Sequence, residues 1–145
     1  VEHNLFMGSN SRHLVQFINN SNSNTFRNNV LLGLSINGTT ATASTTPVLM
    51  QVDDTVANNV YEANYYVAGQ FDGRSAGSNE FTNPAFDAAW FTAFPATLAN
   101  AAMAGLVPKA SAPFLDKGAR LPTAATDGSG TARANPADLG PFEAR

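Results

Sequence analysis

The chain of 145 residues contains no cysteine, which excludes a disulfide framework and a thiolate-ligated metal site. Only 13% of its residues are charged, compared with about 25% in an average globular domain. No apolar run approaches the roughly 20 residues that a membrane-spanning helix needs. The net charge is −3 and no basic stripe occurs, so the sequence offers no electrostatic footprint for nucleic acid.

Asparagine supplies much of the polarity that charged residues do not. The chain has 16 asparagines but only 2 lysines, Lys109 and Lys117. Amide side chains donate and accept hydrogen bonds without the desolvation cost of a charge. This composition favours turns that are packed closely against one another.

One short pattern recurs along the first half of the chain. Residues 3–6 (HNLF) return as residues 28–31 (NNVL), and residues 58–61 (NNVY) resemble a third copy. This third copy pairs Asn59 with Asn29. The alternative pairs Asn64 with Asn29 and assigns more of residues 35–46 to an insertion. We prefer the first register because residues 58–60 repeat residues 28–30 letter for letter.

An asparagine followed by apolar residues at this period is typical of a solenoid of stacked coils. The repeats predict an all-β fold, a parallel β-helix of about three coils. Equivalent asparagines would then pair in a ladder, because an amide can donate to the next amide. The predicted ladder is Asn4, Asn29 and Asn59, with the apolar stacks Leu5/Val30/Val60 and Phe6/Leu31/Tyr61 beside it. The alternative is a small antiparallel sandwich with polar turns.

The rest of the chain differs in character. We assign residues 1–68 to the coils, residues 69–107 to a loop and a short helical segment, and residues 108–145 to a C-terminal capping tail. Phe86, Trp90 and Phe94 have the spacing of one helix face, and they are candidates to plug the open end of the solenoid.

Three stretches of the tail carry a resemblance to a known family. Residues 111–119 (SAPFLDKGA), 126–133 (TDGSGTAR) and 138–143 (DLGPFE) resemble, in order and rough spacing, a C-terminal pattern of bacterial right-handed parallel β-helix proteins of the pectin-lyase-like superfamily. Ala112 and Pro141 depart from that pattern. The resemblance implies a right-handed coil and an exported protein, whether extracellular, at the cell surface or periplasmic. It does not imply an activity, because the superfamily includes lyases, hydrolases and adhesins.

In the lyases of that superfamily a basic residue abstracts a sugar proton, so the resemblance makes Arg12, His13 and Arg27 candidate catalytic residues, with His3 beside them. The repeat also stacks Glu2 on Arg27, and a cross-coil salt bridge is the simpler reading of that pair. Asp53 and Asp54 are candidate ligands for Ca²⁺, which takes 6 to 8 oxygen ligands.

Two further groups of side chains could have either a functional or a structural role. Tyr61, Tyr65, Tyr66 and Trp90 are candidates for a sugar-stacking platform. Asp116, Asp127 and Asp138 lie next to or near glycine, so we interpret them as turn formers.

Together these observations predict a non-catalytic segment of an exported β-helix protein that has a structural, interaction or carbohydrate-contacting role. The alternative is a C-terminal fragment of a polysaccharide lyase or glycoside hydrolase. No cofactor is expected, and Ca²⁺ is the one candidate cation. Residue 1 already lies inside a repeat, so we expect preceding coils or another protein chain at the N-terminal end, with polysaccharide as a further candidate partner.

Overall fold

The computed structural model describes residues 1–8, 13–34, 48–95, 103–118 and 125–144. These residues form short β-strands with two 3-10 helices, Ala88–Trp90 and Met103–Leu106. The strands are β1 (Leu5–Gly8), β2 (His13–Phe17), β3 (Thr25–Arg27), β4 (Val30–Gly33), β5 (Val48–Val52), β6 (Val60–Glu62), β7 (Tyr65–Val67), β8 (Gln70–Asp72) and β9 (Phe81–Asn83).

The strands belong to three sheets in which every pairing is parallel. Sheet 1 has the order β1-β4-β7-β9, sheet 2 the order β2-β5-β8, and sheet 3 pairs β3 with β6. From β1 to β8 the chain visits sheets 1, 2 and 3 in turn before it returns to the first. The prediction of an all-β, parallel-stranded architecture is confirmed at this level, and the antiparallel alternative is wrong.

The register between the second and third copies differs from the preferred prediction. Leu5 pairs with Val30 as expected, but Val30 pairs with Tyr65 rather than with Val60. Val60 instead pairs with Thr25, in sheet 3. Asn64, and not Asn59, is therefore the partner of Asn29.

The error arises because each circuit of the chain has two corners of the same local design. At both corners a residue with a positive φ directly precedes an asparagine of the ladders. Asparagine also tolerates a positive φ better than most residues, and it holds that preceding position at Asn28 and Asn58. Before sheet 1 the positive-φ residues are His3, Asn28 and Ala63. Before sheet 3 they are Ser23 and Asn58. Residues 58–60 thus repeat the sequence of the corner before sheet 1 but lie at the corner before sheet 3.

The central strands of sheet 1, β4 and β7, are buried on both faces. One face packs in an inner cluster, formed by Phe17, Phe26, Leu31, Leu49, Met50 and Tyr66. The other face packs in a tail cluster, in which Val30, Leu32, Tyr65 and Val67 meet Trp90, Phe91, Leu106, Ala112, Phe114, Leu139 and Phe142. A strand that is covered on both sides reads as a continuous apolar run, as residues 30–32 do.

The region after residue 68 differs from the prediction. Residues 69–107, expected to be a loop and a short helical segment, contain the strands β8 and β9. A 3-10 helix of three residues replaces the expected helix over Phe86, Trp90 and Phe94. Those three rings join the tail cluster on the outer face of sheet 1, so they do not plug the inner cluster. Strands of three residues are too short for a period of two to be recognised.

Neither helix of the described ranges has the length and apolar character needed to cross a membrane.

Candidate functional site: an asparagine ladder with one closed and one open end

Three buried or half-buried asparagines form a ladder across sheet 1, one directly before each of the strands β1, β4 and β7. Asn4 donates from its backbone N–H (2.9 Å) and from Nδ2 (3.1 Å) to Oδ1 of Asn29. Asn29 donates in the same way to Oδ1 of Asn64, at 3.1 and 3.0 Å. Each asparagine therefore donates toward the C-terminal end of the ladder, and Asn29 and Asn64 each accept from the preceding asparagine.

The ladder ends at Glu80, which precedes β9 at the position that asparagine holds before β4 and β7. Its Oε1 accepts hydrogen bonds from Asn64 Nδ2 at 3.0 Å and from the Tyr66 hydroxyl at 2.6 Å. Its Oε2 pairs with Arg74 and accepts the backbone N–H of Gly77. A carboxylate is an acceptor without donors, so the ladder terminates there.

Arg74 covers this closed end. Its guanidinium lies 4.3 Å from the centroid of the Tyr61 ring, and the Glu80 side chain beneath it is fully buried. Burial by itself would raise the pKa of Glu80. The bonds from Arg74, Gly77, Tyr66 and Asn64 outweigh that effect and hold its pKa below the ordinary value.

Two further rows cross from strand to strand. Asn24 donates to Oδ1 of Asn59, which forms a second and more exposed ladder at the other corner. Glu2, Arg27 and Glu62 form a row of alternating charge in which Arg27 lies 2.9 Å from Glu2 and 3.5 Å from Glu62. The predicted salt bridge between Glu2 and Arg27 is confirmed.

The N-terminal end of the ladder is open. Strands β1 and β2 each pair on one side only within the described part of the chain. Among those residues nothing donates to Oδ1 of Asn4, and both bonds from Arg27 to Glu2 go to Oε1, which leaves Oε2 without a donor. This end therefore presents unpaired strand edges and two free acceptors.

The tail is held together by a buried polar network. Arg133 pairs with Glu143 at 3.0 Å, and Asp127 accepts the backbone N–H groups of Ser129, Thr131 and Glu143. Asp138 accepts the N–H groups of residues 116 and 144. Asp127 thus serves as a turn former, as predicted, whereas Asp138 links the end of the tail to residue 116, which lies 22 positions earlier.

His3 joins the N-terminal segment to this tail. It is buried, its Nε2 lies 3.1 Å from Asn28 Nδ2, and Gly140 of the tail donates to the backbone oxygen of Asn28. Burial, with Arg133 nearby, lowers the pKa of His3 from 6.5 to about 4. An Nε2 atom that accepts a hydrogen bond requires a neutral imidazole, which agrees with that direction.

A surface cleft of about 390 Å³ lies where the tail meets the last strands. Its polar lining residues are Glu62, Ser78, Asn79 and Lys117. The Phe81 ring forms part of its wall, and Lys117 Nζ lies 5.0 Å from the centroid of that ring. The sequence did not single out this cleft, because its residues come from three separate segments.

Of the candidate catalytic residues, His13 and Arg27 lie in different sheets of the described structure. His13 belongs to sheet 2, where its ring contacts Gln16 and lies 3.9 Å from Asp72. Arg27 belongs to sheet 3 and is engaged by two glutamates. Arg12 lies outside the described residues. A role in catalysis for these side chains stays a prediction.

The four aromatic residues of the predicted platform do not share one surface. Tyr65, Tyr66 and Trp90 are buried, with Tyr65 and Trp90 in the tail cluster and Tyr66 in the inner cluster. Tyr61 is half-buried beneath Arg74. Tyr61 and Phe81 are both partly exposed, and Phe81 borders the surface cleft.

Asp53 and Asp54 lie in the turn after β5. Asp53 Oδ1 accepts the backbone N–H of Thr55 at 2.9 Å, which lowers its pKa, whereas the hydrogen bond with Asp53 raises the pKa of Asp54. The two carboxylates are thus occupied in a local turn. Across the described ranges no group of three or more His, Asp or Glu residues is placed to hold a metal ion.

Sequence reasoning missed Glu80 and Arg74. The sequence does hold a signal for Glu80, which precedes an apolar residue as Asn29 and Asn64 do. A search for repeated asparagines does not find it, because this position of the ladder is a glutamate. Scans against family models, curated proteins and solved structures each found no match to this chain.

Proposed function

We propose that this chain is a coil-stacking module: the C-terminal coils and cap of a right-handed parallel β-helix in an exported bacterial protein. Its role is structural, and it acts by interaction rather than catalysis. The closed end terminates the solenoid, and the open end takes preceding coils or the coil edge of another protein chain.

The observation that carries this proposal is the difference between the two ends of the ladder. At Glu80 every carboxylate oxygen is occupied and Arg74 lies over the end. At Asn4 the acceptor is free and the strand edges are unpaired in the described structure. An exposed strand edge is a template for further pairing, so an end that none of the described residues covers can serve as a docking surface.

The experiment adds one coil to the full chain. A copy of residues 4–25 is fused to the N-terminus, directly before Val1, so that the copied Asn4 precedes the native one by the 25-residue offset of the native repeat. We expect the edge amides of β1 and β2 to become protected from hydrogen exchange and the melting temperature to rise. The control carries the same residues in scrambled order. An extension that leaves the exchange of these amides unchanged would refute the proposal.

A second candidate role is contact with carbohydrate at the cleft beside Phe81. Lys117, Asn79 and Ser78 supply donors, Glu62 supplies an acceptor, and a half-exposed ring forms the wall, which is the mixture that hydroxyl-rich ligands require. Titration with soluble oligosaccharides, followed by the NMR shifts of residues 78–81, tests it. Lys117→Ala should abolish any shifts seen, with Lys109→Ala as the control.

A further inference from the structure

The open end has a polarity that restricts what can dock there. Asn4 donates toward Asn29, and its own Oδ1 is left to accept. The next rung outward must therefore supply a donor to that oxygen. Asparagine supplies two, its backbone N–H and its Nδ2, as Asn29 does toward Asn64.

The charge row sets a second condition. Glu2 lies two residues before Asn4, and its Oε2 has no donor among the described residues. Further along the row, Arg27 lies two residues before Asn29 between Glu2 and Glu62, so the charges alternate in sign. A residue that stacks on Glu2 from outside continues the alternation only if it is basic, because a second carboxylate in the row is repelled.

A second copy of this chain does not meet the first condition. Its closed end presents Glu80, a carboxylate with no proton to donate, to the Asn4 oxygen. Head-to-tail stacking of two copies would place an acceptor against an acceptor and would displace Arg74. The partner at the open end must therefore place a hydrogen-bond donor against Asn4 Oδ1.

Resting on the proposed coil-stacking function, we infer that the open end recognises a parallel β-coil edge with a basic residue two positions before an asparagine, followed by apolar residues. Such a strand meets Glu2, Asn4, Leu5 and Phe6 in one register. A shift of one residue would place polar side chains against the inner cluster. This residue code, a basic residue two positions before an asparagine that apolar residues follow, therefore also fixes the register.

The test lengthens the added coil by a copy of residues 26–28, fused to the N-terminal side of the copied residues 4–25. In this protein the copied Arg27 stacks on Glu2 and the copied Asn4 on the native Asn4. We compare it with two variants in the copy alone, Arg27→Glu and Asn4→Asp. The measurement is hydrogen exchange of the β1 edge amides at low salt and in 1 M NaCl.

We expect Asn4→Asp to speed exchange at the edge by about tenfold, because a carboxylate oxygen then replaces the Nδ2 donor and faces the native Asn4 Oδ1 as acceptor against acceptor. Arg27→Glu should also speed exchange, and 1 M NaCl should remove most of that effect, because salt screens the repulsion between carboxylates. If the extended chain is protected but both variants match it, the residue code is wrong and coil stacking stands. If the unmodified extension gives no protection, the coil-stacking function itself fails.

Discussion

Glu80 Oε1 lies 3.0 Å from Asn64 Nδ2 and accepts its hydrogen bond, just as Asn64 Oδ1 accepts the hydrogen bond of Asn29 Nδ2. A glutamate in the position that asparagine holds before the other strands of sheet 1 thus ends the ladder, because its carboxylate has no hydrogen to donate further. Arg74 is paired with that carboxylate and fixes the loop between β8 and β9 over the end of the inner cluster.

Asn64→Ala should lower the free energy of unfolding by about 3 kcal/mol, because Asn64 is fully buried and its loss leaves several polar groups without partners. Asn59→Ala is the matched control. Asn59 also makes several amide bonds but lies at the more exposed corner, where water replaces them, so we expect about 1 kcal/mol. Urea denaturation measures both, and equal losses would contradict the assignment of Asn64 to the buried ladder.

Glu80→Gln should destabilise the protein by roughly 3 kcal/mol, because it leaves the Arg74 guanidinium half-buried without its counter-charge. The double variant Arg74→Met/Glu80→Gln should recover part of that loss, since the unpaired charge is removed with its partner. Thermal denaturation of the single and double variants measures the coupling. Additive losses in the double variant would show that the two residues act independently.

Stability should fall as the pH is lowered from about 6.5 to about 4, because of His3. The pKa of His3 is about 4 in the folded protein, so in this range the unfolded chain binds a proton that the folded protein does not. The free energy of unfolding then decreases by roughly 2–3 kcal/mol across the interval and levels off below it.

His3→Asn removes the titrating group and suits the corner, since Asn28 holds the equivalent position with a φ of 56°. This variant should flatten the pH dependence of unfolding between about pH 6.5 and about pH 4. A profile that matches the parent protein would assign the effect to another group.

Phe114→Ala should cost about 4 kcal/mol, because Phe114 is buried among Tyr65, Trp90 and Phe91 where the tail meets sheet 1. Phe86→Ala is the control, since Phe86 is only half-buried at the margin of the same cluster. Tryptophan fluorescence follows the release of the tail around Trp90. If both variants lose the same stability, the tail does not depend on Phe114 as its anchor.

The repeat made the first strand pairing predictable. The pairing of Leu5 with Val30 and of Glu2 with Arg27 follows from the 25-residue offset, because parallel stacking places equivalent residues side by side. The turn at Asp127 in the tail was also predictable, since aspartate beside glycine forms a turn whatever packs against it.

The third rung was not predictable in the same way. The corner before sheet 3 needs a positive φ followed by an asparagine just as the corner before sheet 1 does, so Asn59 and Asn64 look alike from nearby residues alone. Only the pairing of Tyr65 with Val30 distinguishes them.

The 25-residue offset of the first repeat, the all-β character and the polar corners were predictable, because they depend on residues that are near in the chain or repeat along it. Only the folded structure shows which asparagine continues the ladder, that Glu80 and Arg74 close it, and that Tyr65, Tyr66 and Trp90 are buried and form no platform. Those outcomes depend on contacts between distant segments, whose free energy no local pattern records.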